Sequence, residues 1–160
     1  MAAICVDSVF LLALYTPRDQ HHALAVSHFQ SLFGNESLKH SLVVAWPILY
    51  ESLNTRLARR PEALEQLSRD WAFLELAGQL TFRNDERHRQ HALKELLETT
   101  PQGGRPLSLV DRVIRSIISA EDAAIDAFLT YNPGDYADAC ALHRITLIDQ
   151  HIEFPQTILA

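Results

Sequence analysis

The sequence predicts a three-layer α/β/α domain around a central, mainly parallel five-stranded sheet. Short apolar runs rich in β-branched residues alternate with longer segments of helical periodicity, the pattern of a parallel sheet covered by helices. No internal repeat, low-complexity stretch or linker divides the chain, so residues 1–160 are expected to form a single domain with a core of its own.

The elements follow in order. "AICV" (3–6) is the first strand, and a helix begins at Ser8. Pro17 restarts the chain, and "HHALAVSHFQSLF" continues as helix to Gly34. "LVVA" (42–45) is the second strand; Pro47 suits the first turn of a helix reaching Arg59. Pro61 opens another helix, with Leu64, Leu67, Trp71 and Leu74 at helical spacing. "QLTF" (79–82) is a short third strand, followed by a helix through Leu97 and the loop "TTPQGGRP". Ser108 starts the next helix, "AIDAFLT" (124–130) is the fourth strand, and "ITLI" (145–148) is the fifth.

Composition narrows the function. At 48% hydrophobic and 21% charged the chain is globular, and no apolar run approaches the ~20 residues needed to span a bilayer. The N-terminus is apolar but lacks a basic leading segment and is interrupted by Asp7, which argues for strand and helix over a signal peptide. Cys5 and Cys140 stand without metal-ligand spacing and read as buried free thiols of a cytoplasmic protein. The net charge of −6 argues against non-specific nucleic-acid binding, yet ten of the twelve arginines lie between Arg56 and Arg115. Arginine's planar fork suits phosphate, although a solvated helical surface carries such charges too.

In open parallel sheets ligands bind beyond the carboxyl ends of the strands. Asp7 follows the first strand, Glu51 lies in the helix after the second, and Asp135 stands in the Pro-Gly turn after the fourth. Asp111 opens the helix that leads back into the sheet. Each has an ordinary structural reading: helix N-cap for Asp7, solvated helix face for Glu51, capping box with Ser108 for Asp111, turn former for Asp135. Together they would share one rim. Clustered carboxylates repel, so such a set implies a hard divalent cation, Mg²⁺ or Mn²⁺.

With "VDSVFLLAL", "HHALAVSHFQSL", "YESLNTRLAR", "LSLVDRVIRSII" and "FLTYNPGDY" in this order, the chain resembles the PIN-domain ribonucleases, in particular the VapC-like toxins of bacterial toxin–antitoxin pairs. The resemblance implies a PIN-like fold and makes Asp7, Glu51 and Asp111 three members of an acidic quartet. The fourth acid often stands where this chain has Asn132; the variant pattern T-x-N-x-x-D-[FY], matched by Thr130, Asn132, Asp135 and Tyr136, assigns it to Asp135. It further implies Mg²⁺- or Mn²⁺-dependent hydrolysis of RNA, with Ser8, Thr130 and Asn132 beside the ligand carboxylates or the phosphate. Arg56, Arg112 and Arg115 are candidates for binding RNA or an antitoxin protein, Arg115 alternatively pairing with Asp111. A homodimer is implied as well; the apolar face of the first two helices is a candidate interface, which periodicity does not separate from core packing.

Other classes fit less well. His88 and His91 lie one helical turn apart and His21 adjoins His22, but no acid or cysteine completes a zinc pattern. A haloacid-dehalogenase-type phosphatase would want an acid at position 9, which is Val, and neither a receiver's paired acids nor a nucleotide-binding glycine loop is present. A catalytically weak PIN-like protein that binds RNA or a partner, and a structure-specific DNA nuclease, remain as alternatives.

Overall fold

The computed structural model describes residues 1–34, 40–54 and 57–150. Its centre is a five-stranded, all-parallel sheet: β1 (Ala3–Val6), β2 (Ser41–Ala45), β3 (Leu80–Arg83), β4 (Ala127–Leu129) and β5 (Thr146–Ile148), in spatial order β3-β2-β1-β4-β5. The central strands are continuous apolar runs because parallel strands are covered on both faces. Every residue of β2 and β4 is buried, whereas edge strand β3 exposes Thr81 and Phe82.

Helices flank the sheet. α1 (Ser8–Leu14) packs on α2 (His22–Phe33) and α3 (Trp46–Asn54); α4 (Pro61–Leu76) leads into β3; α5 (Glu86–Thr99) lies along α6 (Leu109–Ile118). A Schellman turn ends α4, with Gly78 N–H bonded to Glu75 O and Gln79 N–H to Leu74 O. It places Gly78 at φ 67°, a left-handed conformation that favours glycine. Phe10, Leu11, Leu14, Ala25, Leu32 and Phe33 join the core, so the buried apolar face of the first two helices is packed inside the protomer.

Some boundaries differ from expectation. α3 is helical through Asn54, and Arg59 lies in a turn. β4 starts at Ala127 instead of residue 124, and Ala124 itself adopts φ 47°, outside the extended region of a strand. Arg144, at φ 58°, likewise turns the chain just before β5. A short helix, α7 (Ala137–Leu142), was not expected; it follows a 3₁₀ turn over Pro133–Asp135.

The strand order fixes where a site can form. From β1 the chain moves outward through β2 and β3 on one side, then returns to build β4 and β5 on the other. The switch therefore lies between β1 and β4, the place where an open sheet leaves a crevice at its carboxyl edge.

Candidate active site

Asp7 stands at that switch. Its backbone N–H extends the β1–β4 pairing by bonding Leu129 O at 3.0 Å, and its side chain caps α1 by accepting from Ser8 N–H at 2.7 Å. The other carboxylate oxygen accepts from Thr130 Oγ1 at 2.8 Å. Thr130 is fully buried and in turn accepts from the Asn132 N–H at 3.0 Å. Ser8 Oγ lies 2.7 Å from Glu51 Oε2 and 3.4 Å from Asp7 Oδ1. A hydroxyl has one proton, so the shorter contact to Glu51 is the hydrogen bond, and Ser8 links the end of β1 to α3.

The electrostatics agree with the geometry. Burial pushes the Asp7 carboxyl up to about 6, the charges of Glu51 and Asp111 add to that rise, and the bonds from Thr130 and Ser8 oppose it. Acids 44 and 104 residues away in sequence thus lie near enough to Asp7 for their charges to raise it.

Asp111 is held from two sides. Ser108 caps α6 in a full capping box, its N–H and Oγ both donating to Asp111 Oδ2, at 3.1 and 2.6 Å. Tyr136 donates its hydroxyl to the other oxygen at 2.8 Å. Tyr136 is buried against Phe128, ring centroids 4.7 Å apart. Burial and the charges of Asp7, Asp111 and Glu51 raise its ionisation far above the ordinary tyrosine range, so it stays a proton donor.

Asp135 sits further out, on the 3₁₀ turn. Its carboxylate accepts from Asn132 Nδ2 and, at 3.4 Å, from Arg105. Arg105 carried no sequence signal beyond its charge.

The arginines are placed differently from expectation. Arg112 is buried: its guanidinium bonds Glu95 at 2.6 Å, Arg105 O at 2.9 Å and Thr100 at 3.4 Å, tying α6 to the end of α5. Turned inward, it is not offered to a substrate. Arg115 does not pair with Asp111; it makes a two-pronged ion pair with Asp138 of α7, both contacts 2.7 Å, and donates to Asp135 O. Arg56 lies outside the described residues. Three of the histidines have protein partners: His88 bonds Ser116 Oγ, His22 bonds Ala13 O, and His21 stacks on Tyr131. Cys5 and Cys140 are buried and free.

The donor set around Asp7, Glu51 and Asp111 suits a hard cation in kind and charge: oxygens alone, with mutually repelling carboxylates at a buried strand end. Among the described residues, no group of three or more His, Cys, Asp or Glu side chains is arranged to hold a metal ion. The carboxylates instead receive hydrogen bonds from the hydroxyls of Ser8, Thr130, Ser108 and Tyr136.

Sheet order and flanking helices give a PIN-like α/β fold, shared with solved VapC structures. The chain is similar to the crystal structure of Mycobacterium tuberculosis VapC20, described as a sarcin–ricin loop cleaving toxin: TM-score 0.59, 17% identity, covering 84% of this chain and 94% of that one. It is also similar to Rickettsia felis VapBC2 bound to a DNA fragment from its promoter: TM-score 0.57, 16% identity, covering 92% of this chain and 98% of that one. No family model and no curated protein matches the sequence.

Proposed function

We propose that the chain is a Mg²⁺- or Mn²⁺-dependent endoribonuclease, acting as the toxin of a toxin–antitoxin pair. What supports this reading is that Ser8, next to buried Asp7, bonds Glu51, and that the charges of Glu51 and Asp111 both raise the Asp7 carboxyl. The similarity to a sarcin–ricin loop cleaving toxin and to a VapBC2 assembly supports the RNA substrate and a protein antitoxin as partner. A homodimer belongs to the same proposal.

Asp7, Glu51 and Asp111 would hold the cation, and Asp135, at the rim beside Asn132, would complete the set through water. When bound, a divalent cation lowers the pKa of a coordinated water and neutralises charge on the phosphate. The chain's own residues prepare that site. Thr130 and Ser8 fix both oxygens of Asp7 and oppose its protonation, keeping the carboxylate available near neutral pH. Ser8 also holds Glu51 toward β1, and Ser108 holds Asp111 at the start of α6.

Cleavage assays on tRNA, rRNA and mRNA, with and without Mn²⁺, test the proposal. Metal-dependent cutting of at least one RNA is expected; cutting in excess EDTA removes the mechanism, and RNA binding without cutting favours the non-catalytic alternative.

A further inference from the structure

We infer that Tyr136 is a positioning residue of the acid site: its hydroxyl fixes the direction of the Asp111 carboxylate from the turn that follows β4. This deepens the metal-dependent reading above and rests on it.

The hydroxyl of a tyrosine only 1% exposed donates at 2.8 Å to Asp111, which belongs to a different element, 25 residues earlier. A phenylalanine would fill the same slot against Phe128 equally well, so packing alone gives no reason for the oxygen. The donor is itself fixed at three points. The ring lies on Phe128 of β4, the backbone N–H bonds Pro133 O at 3.1 Å, and the carbonyl accepts from Cys140 N–H of α7 at 2.9 Å.

Asp111 receives Ser108 on one oxygen and Tyr136 on the other. Without Tyr136 the carboxylate keeps only the Ser108 side and is free to pivot about it. A carboxylate oxygen accepts more than one bond, so Oδ1 retains capacity for a ligand while Tyr136 sets its aim. A second clamp reinforces the first: Arg115, one turn along α6, grips Asp138 and the Asp135 carbonyl of the same turn-and-helix segment. Residues 133–138 are thereby locked to α6, and the link reaching the acid is the phenol.

The test compares Tyr136→Phe with Tyr131→Phe. Tyr131 is also a buried tyrosine after β4, but its hydroxyl meets His28 at 3.0 Å and, among the described residues, bonds none of Asp7, Glu51 and Asp111. Mn²⁺ affinity is measured by calorimetry, RNA cleavage is resolved into kcat and KM, and metal-free crystal structures are determined for wild type and Tyr136→Phe. Tyr136→Phe is expected to weaken Mn²⁺ binding and lower kcat by roughly 10-fold or more, the usual scale for groups that orient a metal ligand, with KM unchanged. Tyr131→Phe should stay close to wild type in both. Wild-type values for Tyr136→Phe, or equal losses in the two variants, overturn the inference. Should the wild-type protein neither bind Mn²⁺ nor cut RNA, the nuclease reading falls by itself. The crystal structures then decide the positioning claim: a displaced Asp111 carboxylate upholds it, an unmoved one overturns it.

Discussion

At Asp7 two demands meet on one side chain. It caps α1 through Ser8, as an Asp-Ser pair at a strand end suggests, and it is also buried among other acids. Its folded-state pKa of about 6 lies above the ordinary 3.8, so folding favours the protonated form. The resulting stability is fully present below about pH 4 and is lost as pH rises through about 6. In metal-free buffer the melting temperature of wild type relative to Asp7→Asn should therefore fall across that window, by several degrees on the order set for a domain this size. A flat difference would show that Asp7 is not buried as described. Asp7→Asn and Asp111→Asn should each abolish RNA cleavage while cooperative melting persists. As candidates, Asp7, Glu51 and Asp111 are legible from their places after strands and at a helix start. Tyr136 was legible only as the last letter of a pattern, because nothing in a sequence says that a buried phenol will face an acid.

Among the elements, α6 carries the most information. Its S-x-x-D start and its apolar arc of Val113, Ile114, Ile117 and Ile118 announced both cap and core face, and the structure has both. Ser108→Ala removes a cap worth about 1 kcal/mol and one anchor of Asp111, so urea denaturation and cleavage should both register it. Charge alone misled at Arg112. Its neighbours on α5 and the preceding loop come from distant sequence, and they turn a surface-type residue into an internal tie. Arg112→Ala should lower stability by roughly 1–3 kcal/mol, less than for a fully buried pair because Glu95 is 42% exposed, without a specific loss of RNA affinity. A large change in RNA binding with unchanged stability would reverse that assignment. Helix α7 leaves little trace in the sequence because six residues carry too little periodicity to register; in the fold its Asp138 pairs with Arg115.

For the molecule as a whole, alternating apolar runs and helical segments sufficed to foresee a parallel sheet, but not its order. Which strand neighbours which depends on how the layers close, and that order puts β1 beside β4 and brings residues 7 and 130 together. The same closure buries Cys5 in the central strand, where desolvation pushes its thiol up to about 12. Thiol reagents should therefore leave Cys5 unmodified until the protein unfolds, as mass spectrometry across a urea series would show. The central claim is that acids drawn from three elements form one cation site at the sheet's switch point. The direct measurement is the thermal shift on adding Mn²⁺ to wild type and to Asp111→Asn, in protein first stripped with EDTA. A saturable rise in melting temperature for wild type, much reduced in the variant, is the predicted result; no rise in wild type, or an equal rise in both, would contradict it.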